Sequence, residues 1–273
     1  MKLVGKVALI TGAAGGLGRA MALAFARDGA CLAICDIYEE KLKVVGQEIK
    51  EQGTECLASR CDISSSTEVA ELFARVTERF GRVDVLVNNA AVIPVTPDDE
   101  ERRKLHYTYM TTPIPRRSLG FTRTMSDDDW HRFWGVNVHG VFYCTREALK
   151  LMEPQQSGQI INIASIAGLS AFSAHSPHYS ATKGAVIAFT RSVAAEVAGA
   201  NVFVNAIAPG AVHTTAFDDV LKRFGEEQKN QLFQLIPLGR LGTMEEYASL
   251  AVYLAAGGHY LVGQIISPNG GMF

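Results

Sequence analysis

Tyr179 and Lys183 stand four residues apart in the run Ser176-Pro177-His178-Tyr179-Ser180-Ala181-Thr182-Lys183. On a helix that spacing puts both side chains on one face. An ammonium beside a phenol favours the phenolate and draws its pKa down from about 10. A phenol tuned in this way gives a proton to a carbonyl oxygen or takes one from an alcohol. Alone, Tyr-x-x-x-Lys is an ordinary surface pair. It gains meaning only from the residues it keeps company with.

A second group lies near the N-terminus. Thr11-Gly12-Ala13-Ala14-Gly15-Gly16-Leu17-Gly18 follows a short apolar run and precedes a helical one. Glycines allow close backbone approach to a pyrophosphate, and a helix N-terminus adds free N–H groups and a positive dipole end. Asp36 closes the next apolar run. A carboxylate there accepts hydrogen bonds from both ribose hydroxyls of NAD and repels the 2′-phosphate of NADP. No Arg or Lys lies between Gly12 and Gly18 to offset that repulsion. NAD is therefore the expected cofactor; the bland alternative is a structural turn with a solvated Asp36.

These residues need a frame, and the apolar pattern supplies one. Short runs rich in Val and Ile recur at 7–10, 31–35, 55–59, 83–87, 159–164, 202–207 and 263–267. They do not alternate, so they read as strands buried on both faces. Between them, 17–27, 39–51, 68–80, 128–151, 178–197 and 245–255 carry apolar residues at helical spacing. Ser65 with Glu68, and Thr243 with Glu246, have the form of capping boxes. Regular alternation predicts an α/β fold, a single Rossmann-type domain over 1–273. Its doubly wound parallel sheet has about seven strands, with helices on both faces. The segment 94–126 breaks the rhythm, with prolines at 94, 97, 113 and 115, and is expected to be an insertion loop.

Composition narrows the class. The chain has 273 residues, 48% of them apolar and 20% charged, with a formal net charge of −2. That balance gives no pull toward nucleic acid or an anionic membrane. No apolar run reaches the roughly 18 residues of a membrane span. The basic start Met1-Lys2-Leu3-Val4-Gly5-Lys6 leads into an apolar stretch far too short for a signal peptide. Cysteines at 31, 35, 56, 61 and 144 are odd in number and lack CxxC spacing, so neither a disulfide framework nor a metal site is expected. Reduced thiols predict a cytoplasmic protein.

From 5 to 271, interrupted by the insertion, the chain resembles the short-chain dehydrogenase/reductase family. The cofactor loop of that family is matched by Thr11, Gly12, Gly16 and Gly18, and its adenine-edge acid by Asp62. Asn88-Asn89-Ala90-Ala91 stands where the family has Asn-Asn-Ala-Gly, the last glycine being replaced by alanine. The family's Asn, Ser, Tyr and Lys tetrad falls on Asn137, Ser165, Tyr179 and Lys183.

The resemblance implies a role for each. Ser165 holds the substrate oxygen beside Tyr179, Lys183 binds the nicotinamide ribose, and Asn137 supports a water chain that relays protons. It also implies that the Val212 backbone binds the carboxamide, and that Thr214 binds it or a phosphate. Leu17, Ile37, Ile63, Asn89, Ala90, Pro209 and Gly210 complete the implied cofactor set. The implied activity is NAD-dependent interconversion of an alcohol, expected to be secondary, and its carbonyl. The implied assembly is a homotetramer packed through 128–151, 178–197 and the last strand.

Ligands of open α/β sheets sit beyond the carboxyl ends of the strands. Pro94, Ile166, His175 and Ala211 are expected to line the substrate pocket, and 211–235 to be its lid. The insertion carries Arg102-Arg103-Lys104, Arg116-Arg117, Tyr107, Tyr109 and Met110. It is expected either to cover the pocket and recognise an anionic group, or to be a solvated loop or oligomer contact. Two other functions remain in play. One is an NAD-binding sensor without turnover. The other is an isomerase or dehydratase on the same scaffold, whose members usually carry a longer C-terminal substrate domain than is seen here.

Overall fold

Apolar residues on both faces of a strand must be covered by helices on both sides, and this is how the runs are used. The computed structural model describes residues 1–272, so Phe273, the end of the expected domain, lies outside the described residues. The strands are β1 (Val7–Thr11), β2 (Cys31–Asp36), β3 (Cys56–Arg60), β4 (Val85–Asn88), β5 (Gly158–Ile163), β6 (Val202–Ile207) and β7 (Ile265–Ile266). They form one parallel sheet in the order β3-β2-β1-β4-β5-β6-β7. The order reverses between β1 and β4, which opens a crevice beyond their carboxyl ends.

Ten α-helices are present among the described residues. They are α1 (Gly16–Arg27), α2 (Glu39–Glu51), α3 (Ser66–Phe80), α4 (Pro97–Thr111), α5 (Asp127–Trp134), α6 (Val141–Gln155), α7 (Pro177–Val197), α8 (Thr215–Arg223), α9 (Glu226–Gln234) and α10 (Met244–Ala256). The period-two geometry of β1 splits the core. Ala8 and Ile10 face the layer of α1, α2 and α10, through Met21, Phe25, Ile49 and Val252. Val7 and Leu9 face the layer of α3, α6 and α7, through Leu72, Val76, Met152 and Val197. Among the described residues, no helix is long and apolar enough to cross a membrane.

The expected elements are present with shifted ends. The Thr243 box is complete. The Ser65 box is half made: Ser65 accepts from the Glu68 amide, but the Glu68 carboxylate turns to the Asp62 amide and to Arg60. The helix expected over 128–151 is interrupted by a π-helical turn, Gly135–Gly140, between α5 and α6. Such turns recur at functional sites, and this one carries Asn137. On α5 the buried aromatic is Phe133, while Trp130 is exposed.

The largest correction concerns 94–126. Fifteen of its residues form α4, opened by a full capping box between Thr96 and Asp99 with Pro97 in the first turn. The helix was hidden because its buried positions are largely polar (Asp99, Glu100, Arg103 and His106), so no apolar stripe marks it. The 211–235 segment folds as α8 and α9. With α4 it closes a small apolar cluster of Tyr107, Ile166, Val220, Phe224, Leu232 and Ile236.

Candidate active site

The glycine loop is built for close approach. Gly12 and Gly16 have positive φ, +67° and +51°, which side-chain-bearing residues rarely adopt. A Cβ on Gly18 would lie 2.1 Å from the Gly12 carbonyl oxygen, so α1 can start here only with glycine. Leu17, between them, packs its side chain on the core. Thr11 and Asn89 lock the loop from beneath. Asn89 Nδ2 donates to the Thr11 and Gly12 carbonyls at 2.9 and 3.1 Å. The Thr11 hydroxyl accepts from the Asn89 and Ala90 amides, each at 3.0 Å. The Asn89 side chain is thus spent on the loop itself, and Ala91, in the place of the family's glycine, is half-buried.

Asp36 leaves β2 toward this loop. Its Oδ2 accepts from the Ala14 amide at 3.0 Å and its Oδ1 from the Tyr38 amide at 3.1 Å. Ile37 beside it is exposed, whereas Ile63 is core, and a Cβ on Gly140 would strike its side chain. Asp62 accepts from the Ser64 amide and hydroxyl. A dinucleotide fits these residues. An added Cβ at Gly15 or Gly16 would meet nothing within 4 Å, so the space above the loop is open. The α1 N-terminus faces it, and a carboxylate stands at its edge.

Across the crevice, β5 delivers Ser165 and α7 delivers Tyr179 and Lys183. The Ser165 hydroxyl accepts from the Ala167 amide at 3.1 Å, capping the 3₁₀ turn Ile166–Gly168. Lys183, 3% exposed, donates to the Ile163 carbonyl at 2.7 Å, and its Nζ lies 5.7 Å from the Tyr179 ring centroid. Phe133 meets the Tyr179 ring edge-on at 6.3 Å. Asn137 clamps the loop after β4: its Oδ1 accepts from the Val92 amide at 2.7 Å, and its Nδ2 donates to the Val92 carbonyl at 3.0 Å and to Thr182 at 3.2 Å.

The electrostatics differ from the expectation in one respect. Burial pushes the Tyr179 phenol above its usual value, with a hydrogen bond to Ser165 pulling the other way. Tyr179 keeps part of its surface open to the cleft, but the packing around it outweighs that opening. Lys183 is drawn down to about 8, also by burial. Two groups leaving water together each resist ionising, and here that cost exceeds their mutual influence.

The remaining predicted residues come together at the same edge. Pro209 accepts from the Ile166 amide at 2.9 Å, and a Cβ on Gly210 would meet Asn269 at 2.8 Å. Val212 pairs with Gly242 in a single parallel bridge, and the Gly242 amide donates to the Ala211 carbonyl. Thr214 caps α8 through the Phe217 amide at 3.2 Å. His175 is 4% exposed, whereas His213 is open to solvent beside Asp218.

Asn88 and His175 were marked by the sequence, but the partners the fold gives them were not. Asn88, Asn162, Thr145 and Thr190 form a buried hydrogen-bonded ladder behind the site. His106, on α4, stacks obliquely on His175, with ring centroids 5.6 Å apart. Only the long-range pairing of elements could reveal either group. Among the described residues no His, Cys, Asp or Glu gather as a metal-binding group, and all five cysteines are free.

Residues 6–223 match the family model described as short chain dehydrogenase. The chain is 33% identical over 273 residues to the 3-oxoacyl-acyl-carrier-protein reductase FabG of Thermotoga maritima, covering 100% of this chain and 99% of that protein. The reductase of the same name from Aquifex aeolicus is 34% identical over 275 residues, with 100% and 99% covered. Among solved structures, a protein described as a gluconate dehydrogenase from Agrobacterium tumefaciens superposes with a TM-score of 0.85 at 32% identity, over 99% of this chain and 96% of that one. A 7α-hydroxysteroid dehydrogenase complexed with NADH and a 7-oxo bile acid superposes with a TM-score of 0.83 at 29% identity, over 99% and 95%.

Proposed function

The chain belongs to the short-chain dehydrogenase family, and from that premise we propose that it interconverts a secondary alcohol and its carbonyl with NAD(H), using Tyr179 as general acid and base. The observation that carries this reading is one edge of the sheet holding both halves of the chemistry. The glycine cradle and Asp36 lie on one side of the crevice, and Ser165, Tyr179 and Lys183 on the other.

Thr11, Gly12, Gly16, Leu17 and Gly18 would hold the pyrophosphate, Asp36 and Ile37 the adenosine ribose, and Asp62 and Ile63 the adenine edge. Asn89, Ala90, Pro209, Gly210, Val212 and Thr214 would frame the nicotinamide end. When bound, the nicotinamide supplies or accepts the hydride. Everything else is proton handling by the chain. Ser165 holds the substrate oxygen, and Tyr179 takes the hydroxyl proton during oxidation or returns one during reduction. Burial lowers Lys183 to about 8, so it gives up a proton more readily than an ordinary lysine and is able to relay that proton. Asn137 acts through position, because its side chain is committed to Val92 and Thr182.

NAD rather than NADP is favoured by the charge on Asp36, whose Oδ2 already faces the loop through the Ala14 amide. The hydroxysteroid dehydrogenase relative, with NADH bound, agrees with that preference. Relatives named for gluconate, levodione and a bile acid span too many shapes to choose the substrate. We read 94–126 and 211–235 together as the cover of the pocket. Pro94, Ile166, His175 and Ala211 line its walls. We further place the protein in the cytoplasm as a homotetramer. Assembly through α6 and α7 is supported by the groove along them, lined by Phe142, Leu149, Phe189 and Val193.

The test is a screen of secondary alcohols, sugars and hydroxy acids for NAD reduction, repeated with Tyr179→Phe. Turnover that vanishes in the variant while NAD still binds supports the reading. An unchanged rate overturns it, and a wild type that moves no hydride from any alcohol to NAD, or from NADH to any ketone, leaves a binding protein instead.

A further inference from the structure

Helix α4 carries an arginine with no counter-ion among the described residues. Arg103 is 5% exposed. Its Nη2 donates to the Pro94 carbonyl at 2.6 Å, while its Nη1 is buried with no hydrogen-bond partner in the protein. The acids next to it are engaged elsewhere: Asp99 pairs with Arg102, and Glu100 with Arg223. An ionised guanidinium out of water and without an anion is strongly unfavourable unless a partner arrives.

Two histidines are buried beside it. His106 and His175 are each 4% exposed, and each Nδ1 is buried without a partner. Burial holds both below the ordinary histidine range. For His175 the drop is to about 2, with the charge of Arg103 adding to it. They are therefore neutral, and Arg103 is the one fixed charge in the group.

Three contacts set this buried cluster beside the reacting groups. Pro94, which binds Arg103, lies on the stretch that Asn137 clamps at Val92. His175 stands four residues before Tyr179, in the turn that leads into α7, and meets Tyr107 edge-on at 6.0 Å. Tyr107 in turn shares an apolar cluster with Ile166, the neighbour of Ser165.

We propose that Arg103, with the Nδ1 atoms of His106 and His175, forms a subsite for the carboxylate of the substrate, so that the alcohol oxidised is a hydroxy acid and the carbonyl reduced an oxo acid. The proposal rests on the reading of Ser165 and Tyr179 as the reacting end. A single positive charge matches a monoanion, and two neutral imidazoles supply donors without further charge. A phosphomonoester would bring close to two negative charges, one in excess. A guanidinium nitrogen with both hydrogens free is well formed for a carboxylate oxygen. Three other cations of the segment are engaged elsewhere: Arg102 pairs with Asp99, Lys104 with Glu101, and Arg116 lies over the Tyr109 ring.

The experiment compares lactate, 3-hydroxybutyrate and gluconate with their amides, and with glycerol 1-phosphate, on the full-length protein. Turnover is followed at the nicotinamide absorbance. Binding is followed separately, as the rise in melting temperature of the NAD-bound protein. At least one acid is expected to exceed its amide by about 100-fold in kcat/KM, carried mainly by KM. In Arg103→Gln that preference should fall to a few-fold, and Arg103→Lys should restore part of it. Equal use of acids and amides, or preference for the phosphate ester, overturns the subsite and leaves the oxidoreductase reading standing. If no alcohol turns over, that reading fails, and binding alone decides the subsite. Acids that stabilise the wild type but not Arg103→Gln support it; acids that stabilise neither, or both alike, overturn it. The acid–amide comparison on the wild type keeps the proposal testable even if the variants fold poorly.

Discussion

Glu100 on α4 and Arg223 on α8 pair across 123 residues of sequence, Arg223 Nε donating to Glu100 Oε2 at 3.0 Å. A second contact joins Nη2 to Oε1, making the pair bidentate. Glu100 is buried there while Arg223 is about half exposed. This bridge ties the insertion to the 211–235 segment, the two parts of the proposed cover. Glu100→Ala should cost about 1–2 kcal/mol, discounted for the solvent around Arg223. It should raise KM several-fold and leave kcat nearly unchanged. Urea unfolding and steady-state kinetics check both, and equal loss in kcat and KM would refute the covering role.

Tyr179→Phe removes the proposed proton donor without changing the shape of α7. The rate should fall by about 10²–10⁴-fold, with NAD affinity within a factor of two or so. Ser165→Ala should act in the same direction and also release the 3₁₀ turn at Ile166–Gly168. Single-turnover kinetics and fluorescence titration of NADH separate chemistry from binding.

Asp36→Asn removes the charge proposed to select NAD while keeping a hydrogen-bonding group near the Ala14 amide. The ratio of kcat/KM for NAD over NADP should drop by about 10-fold or more. A ratio that stays put would move the specificity elsewhere, for instance to Arg60, the register partner of Asp36.

Lys183 offers a pH test of stability. Its folded pKa of about 8 lies below its ordinary value of 10.5. Between those values the unfolded chain binds more protons than the native one, so stability rises with pH across that window. Below pH 8 the burial cost of the charged lysine is fully present, about 3 kcal/mol at most. Tyr179, shifted the opposite way from 10.0, lowers stability only above that value. Unfolding free energies of the wild type and Lys183→Met should therefore converge from pH 8 to 10. A constant difference would mean that Lys183 is not desolvated.

Gly18→Ala would place a methyl group 2.1 Å from the Gly12 carbonyl oxygen. Backbone cannot yield there as a flexible side chain would. NAD affinity should fall more than 100-fold, and the melting temperature should drop by several degrees. Calorimetry and NADH titration would show it, and near-normal binding would argue against the cradle.

Much of this was legible before the fold was known, because the relevant information is local. Gly12 and Gly16 declare a backbone that needs positive φ, and the runs at β1 and β6 declare burial on both faces. Tyr179 and Lys183 share a face by helical period alone. The α4 helix was missed although Thr96, Pro97 and Asp99 spell out its start. A helix is recognised by the stripe it hides from water, and α4 hides charge and imidazole instead.

The sequence by itself determined the parallel sheet, the cofactor loop with its acid, and the pairing of a phenol with an amine. It could not determine the sign of their coupling. Tyr179 was expected below its usual pKa and is pushed above it, since burial is a property of everything packed around the ring. Only the tertiary structure decided that Asn137 clamps Val92, that Glu100 meets Arg223, and that Arg103, His106 and His175 are buried with unpartnered nitrogens. Each of these depends on distant segments being brought together. A polar group buried between elements leaves no periodic trace in its own segment, because its partner is set by topology and not by spacing.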